Sequence, residues 1–118
     1  MQKAKILLVD DEPNLTSALV RSLDRTQFEI FTADSAQQGL MILAGHDIDV
    51  VVSDERMPGM SGVELAAELS RRHPQVRAIL LTGYEGVDVD RALDARARNV
   101  LTKPVSIVDL QRVLDEVA

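Results

Sequence analysis

Five apolar runs of strand length alternate with stretches of helical periodicity along the chain. They lie near residues 5–10, 28–32, 49–53, 77–81 and 99–102. This alternation restricts the fold more than any other feature. A strand, a crossover helix and a second strand of the same sheet make a right-handed parallel unit. Repetition of that unit gives an open sheet with helices on both faces. Runs one, three and four are continuously apolar, as expected when both faces of a strand are covered. Run two, Phe28-Glu29-Ile30-Phe31, is mixed and reads as an edge strand. The expected class is α/β: an open, doubly wound, five-stranded parallel sheet.

The intervening stretches carry helix signals. Leu15, Leu19 and Leu23 recur at four-residue spacing and make one apolar stripe. Pro13 suits the first turn of that helix, where a missing N–H does no harm. Ser35 with Gln38, and Ser61 with Glu64, have the spacing of capping boxes opening helices two and three. A fourth helix, expected over Val87–Ala95, has the weakest periodicity. Ser106 caps a last helix whose buried stripe reads Ile107, Leu110, Leu114 and Val117.

The 118 residues suit one domain. With no cysteine there is neither a disulfide framework nor a thiolate metal site. No apolar stretch approaches the roughly 20 residues of a membrane helix, and the run after Met1–Lys5 is too short for a signal peptide. The expectation is a cytoplasmic domain without a membrane segment. The net charge of −6 argues against direct nucleic-acid binding, since phosphate backbones need a basic face.

Four of the runs end on residues that phosphoryl chemistry uses. Ile6–Val9 runs into Asp10 and Asp11, and Val50–Val52 runs through Ser53 into Asp54. Ala78–Leu81 ends on Thr82, and Val100–Leu101 leads through Thr102 to Lys103. Each has an ordinary reading: helix capping for Asp10-Asp11-Glu12, a turn at Asp54, a strand exit at Thr82-Gly83, a turn at Lys103-Pro104. In parallel strands, however, all four meet at the carboxyl edge of one sheet, where ligands of such folds bind. Clustered carboxylates raise one another's pKa unless a cation compensates. Magnesium, which takes oxygen ligands and keeps several waters, suits the set. Asp54, on the central strand, is the best nucleophile, because a carboxylate can form an acyl phosphate. His46 and His73 read as surface residues. Met57 and Met60 read as packing for the loop around Pro58.

At these residues the chain resembles the receiver domain of two-component response regulators. The matching runs are LLVDDEP (Leu7–Pro13), VVSDERMPGMSG (Val51–Gly62), LLTG (Leu80–Gly83) and LTKP (Leu101–Pro104). The resemblance covers the whole chain, 1–118, as one receiver domain of its own or excised from a longer protein. It implies the (βα)5 flavodoxin-like receiver fold with strand order 2-1-3-4-5. It implies that Asp54 is the phosphoacceptor for a phosphohistidine of a sensor histidine kinase or phosphotransferase. Mg2+ would be held by Asp11 directly, Asp10 through water, Asp54, and the backbone carbonyl of Arg56. Thr82 and Lys103 would grip the phosphoryl group, and Lys103-Pro104 would be a cis peptide. Such a domain is a switch rather than an enzyme, with only self-catalysed phosphoryl transfer and autodephosphorylation. Its partners would be the kinase and a downstream output domain or protein, reached, as would be a homodimer, through the fourth helix, fifth strand and last helix.

The chain departs from that family in the region between Thr82 and Lys103. Val100 stands where many members carry Tyr or Phe, Tyr84 is the only tyrosine, and Arg96 replaces a usual glycine. Val100 reads either as a sign that the aromatic rearrangement is absent or as an ordinary core residue. Two other functions compete: a haloacid-dehalogenase-like phosphatase, and a phosphorylation-independent interaction module. The first normally has a second Asp two residues after its nucleophile, where this chain has Arg56. The second does not need the joint presence of Asp54, Thr82 and Lys103.

Overall fold

A computed structural model of the chain describes residues 3–83, 99–103 and 105–117. Tyr84, the helix expected over Val87–Ala95, Arg96 and Pro104 lie outside the described residues. Five strands, β1 (Ala4–Val9), β2 (Phe28–Ala33), β3 (Val50–Asp54), β4 (Arg77–Thr82) and β5 (Asn99–Thr102), form one sheet. Its order is β2-β1-β3-β4-β5, and each pairing is parallel. The expected strands agree within a residue or two at each end, and the mixed strand β2 lies at an edge. The described helices are α1 (Pro13–Ser22), α2 (Ala36–Gly45), α3 (Gly62–Arg72) and the last, α4 (Ile107–Val117).

The continuous apolar strands fill two cores because successive side chains point to opposite faces. Ile6, Leu8, Val50, Val52, Ile79 and Leu81 pack with Leu19 and Leu23 of the α1 stripe and with Leu110 and Leu114 of α4. Leu7, Val9, Val51, Ala78 and Leu80 pack on the other face with Leu43 of α2 and Val63, Leu65 and Leu69 of α3. Helices therefore cover both faces, which is the doubly wound arrangement. Full burial of such a side chain contributes about 1.5–3 kcal/mol. Val113 is also buried in α4, and the stripe as read from the sequence omits it.

The helix ends follow their signals with one correction. Ser61 and Glu64 form a complete capping box at α3. At α2 the Ser35 hydroxyl accepts the Gln38 N–H (3.1 Å), but the Gln38 side chain accepts from Asp34 N–H (2.6 Å), not from Ser35. The reciprocal half of that box is displaced by one residue. The Ser106 hydroxyl accepts the Asp109 N–H at 3.4 Å ahead of α4.

At the amino end of the sheet, Asp49 staples three strands. Its carboxylate accepts the Lys5 N–H (2.7 Å), its N–H donates to the Lys5 carbonyl (2.9 Å), and its carbonyl accepts the Arg77 N–H (3.1 Å). At the carboxyl end, α3 begins almost in contact with the end of β3. A Cβ added at Gly62 would lie 2.6 Å from the Asp54 carbonyl oxygen and 2.9 Å from Leu80 Cδ2. Only glycine permits that approach. Gly62→Ala is expected to destabilise the fold by about 1–3 kcal/mol, the cost of overpacking a closed core. The methyl of Gly45→Ala meets nothing within 4 Å, so that variant should shift stability by less than about 1 kcal/mol. Urea midpoints of the two variants check the contrast.

Candidate functional site

The alternation that fills the cores also aims the reactive groups. Asp10 continues the Ile6–Leu8 series, Asp54 the Val50–Val52 series, and Lys103 follows Leu101 on the same α1–α4 face. The register carries these series to one level. Val9 pairs with Ser53, Asp54 with Leu81, and Thr82 with Thr102, next to Lys103. The Lys103 N–H donates to the Thr82 carbonyl at 2.7 Å, so the last residue of β4 holds the residue after β5.

Asp10, Asp11 and Asp54 converge. One carboxylate oxygen from each lies within 4.8 Å of the others, and this is the one such acidic group among the described residues. Asp10 and Asp54 are buried and Asp11 is exposed. Lys103 Nζ stands 2.6 Å from Asp54 Oδ1. This is a mostly buried ion pair, with the lysine side chain 28 % and the aspartate 7 % exposed. Asp10 Oδ1 accepts the Glu12 N–H at 2.8 Å, while Asp10 Oδ2 is buried without a hydrogen-bond partner.

That orphaned oxygen is a physical test of whether the residues fit a cation. Ionised carboxylates only accept, so three of them cannot satisfy one another. Burial, and next the nearby Asp54 and Asp11 charges, hold the Asp10 carboxyl above its ordinary value of 3.8, against the opposing pulls of the Glu12 N–H and Lys103. Hard oxygen donors in this number suit Mg2+ or a similar divalent ion. The residues therefore fit such an ion.

Thr82 is buried at the same edge, but its hydroxyl donates to the Gly83 carbonyl (3.1 Å) and not to a carboxylate of the cluster. It continues the Leu80 series, whose side chains face α2 and α3. Arg56 is exposed and lines an open cleft with Asp11, Glu55, Met57, Pro58 and Ser61. Met57 and Met60 pack against the α2–α3 core, as does half-buried Val100. His46 is exposed, with its ring stacked at a tilt on Phe31 (centroids 4.7 Å apart), and His73 follows α3; neither belongs to the acidic cluster. Glu55 lies within the Val51–Gly62 run with no role assigned from the sequence, yet it bonds the start of α3.

The chain belongs to the response regulator receiver domain family, whose model matches residues 6–115. It is 35 % identical over 115 residues to response regulator protein PilR of Pseudomonas aeruginosa, covering 97 % of this chain and 26 % of PilR. It thus spans about a quarter of the length of that relative. Among solved structures it is similar to response regulator protein TrrA from Thermotoga maritima in complex with Mg2+-BeF. That match has 31 % identity and a TM-score of 0.88, and covers 98 % of this chain and 99 % of TrrA. The signal receiver domain of an HD domain-containing protein from Pseudomonas fluorescens matches with a TM-score of 0.93 at 28 % identity, covering 98 % of this chain and 94 % of that one. The domain is a phosphorylation-dependent signalling module and not a classical enzyme. The haloacid-dehalogenase reading is not favoured.

The raised Asp10 pKa has a direct thermodynamic consequence. The folded chain binds a proton at Asp10 more readily than the unfolded chain, so this group costs stability at neutral pH. The cost fades as pH falls toward 3.8, the ordinary value. In metal-free buffer, Asp10→Asn should unfold at higher urea than wild type at pH 7, and the gap should close in acid. Urea midpoints measured across the pH range check both the sign and the convergence.

Proposed function

We propose that Asp54 is the phosphoacceptor of this receiver. The donor is a phosphohistidine of a sensor histidine kinase or histidine phosphotransferase. A carboxylate oxygen of Asp54 forms the new bond to phosphorus, the N–P bond breaks, and its electron pair returns to the imidazole. The observation that carries this reading is the placement of Asp54: buried, paired to Lys103 at 2.6 Å, and beside two further carboxylates. A lone buried nucleophile of this charge would repel an incoming phosphoryl group. Asp10, Asp11, Asp54 and the backbone carbonyl of Arg56 would hold Mg2+, which, when bound, neutralises charge on the phosphoryl oxygens. Lys103 adds its ammonium at the same oxygens, and Thr82 supplies a hydroxyl. The chemistry is positioning and charge neutralisation.

Phosphorylation adds roughly −1.5 to −2 charge units and three acceptor oxygens. Thr82 and Lys103 respond together, because the Lys103 N–H bonds the Thr82 carbonyl. The proposed readout is β5 and α4, with the expected fourth helix, which lies outside the described residues; it would serve an output domain or protein, or a second copy of the domain. Residues 1–118 are assigned to this one cytoplasmic receiver, and this domain itself does not contact nucleic acid.

Incubation with acetyl phosphate and Mg2+ tests the assignment. Intact-mass measurement should show one added phosphoryl group on wild type, none on Asp54→Asn, and none on wild type after chelation. Phosphoryl uptake by the asparagine variant would overturn the assignment. Sustained turnover of small phosphate esters would restore the phosphatase reading.

A further inference from the structure

The residue after the phosphoacceptor is held at three points. The Glu55 N–H donates to the Leu81 carbonyl on β4 at 2.9 Å. The Glu55 carbonyl accepts the Gly62 N–H at 3.0 Å. Its carboxylate Oε1 accepts the Val63 N–H at 2.7 Å. The first donors of a helix have no partner within the helix. At α3 the next two, Glu64 N–H and Leu65 N–H, go to the Ser61 hydroxyl and carbonyl. Glu55 takes the first two, with one backbone and one side-chain oxygen.

These bonds close a loop on a single residue. The chain leaves Glu55, runs through Arg56–Ser61, and returns to Glu55 through Gly62 and Val63. Within it Gly59 adopts φ +82°, and Met57 and Met60 anchor the loop to the core. Arg56, with its carbonyl, lies inside that closure and directly follows Glu55. Glu55 is not one of the three carboxylates that converge within 4.8 Å. Its charge instead meets the α3 N-terminus, where the helix dipole is positive.

We propose that Glu55 is a positioning residue for the cation site. Its side chain closes the 56–61 loop and so fixes the Arg56 carbonyl and the end of β3. The inference rests on the reading of Asp54 and Arg56 given above. It also assigns the action of Glu55 to the reach of its acceptor oxygen and not to its negative charge. Those two properties separate by substitution. Glu55→Gln keeps an acceptor at the same reach and loses the charge. Glu55→Asp keeps the charge and shortens the arm by one methylene.

Calorimetric titration of the whole chain with MgCl2 tests this, with urea melts run on each variant. Glu55→Gln should bind Mg2+ as wild type does. Glu55→Asp should bind it roughly ten-fold more weakly, the scale seen when a group that orients a metal ligand is lost, while remaining folded in the melt. Wild-type affinity in Glu55→Asp overturns the proposal. So does a loss of affinity in Glu55→Gln, which alone decides the matter if Glu55→Asp does not fold. Wild type that takes up no Mg2+ overturns the metal-dependent function as well, and that outcome is distinct from failure of the Glu55 assignment alone.

Discussion

Three carboxylates against one ammonium is the imbalance around which the sheet edge is organised. Asp10, Asp11 and Asp54 meet within 4.8 Å, and among the described residues Lys103 is the one cation paired with them, at Asp54. Two full charges at ~4 Å interact by about 4 kcal/mol at an effective dielectric near 20. Repulsion of that size cannot be absorbed by exposed side chains choosing other rotamers, because Asp10 and Asp54 are buried. It is tolerated only because the strands beneath are fixed by two apolar cores, one on each face. Stability generated in the body of the domain holds a site that would fly apart on a softer scaffold. The upward shift at Asp10 and its unpartnered Oδ2 are two symptoms of the same surplus of negative charge.

Much of this was legible from the residues alone, for a physical reason. In a parallel sheet with covered faces, a strand is a continuous apolar run, and its exit is the first polar residue. Asp10, Asp54, Thr82 and Lys103 are all such exits or neighbours of one, so strand identity and site identity come from one signal. The Ser61–Glu64 box is equally local, and it formed as read. Interactions that span a loop were not legible. Gln38 passes over Ser35 to reach Asp34. Val113 is buried beside Leu110 and Leu114 in α4, which widens the stripe beyond Ile107, Leu110, Leu114 and Val117. Glu55 bonds Val63 across eight positions, and no periodicity marks such a pair.

Of the departures from the family pattern, Val100 lies among the described residues. Val100 is half-buried and packs against the core on the α2–α3 face. Thr82 points along the same face, with its hydroxyl on the Gly83 carbonyl. Engagement of that hydroxyl with a phosphoryl group therefore requires this local bond to be exchanged. That bond falls on the carbonyl next in the chain to the Thr82 carbonyl, which receives the Lys103 N–H. The end of β4 and the residue after β5 are thus joined beside that hydroxyl.

The Asp49 staple at the far end of the sheet matters for a reason unconnected with its own surroundings. It ties β3 to both of its neighbours before any apolar pairing begins. A strand displaced by a single position would present every side chain to the reverse face. Ser53 would then take the place of Asp54 among the acidic groups, a hydroxyl where a carboxylate now stands. Chemical identity at one end of the sheet is thereby guaranteed by a mooring about five residues away at the other.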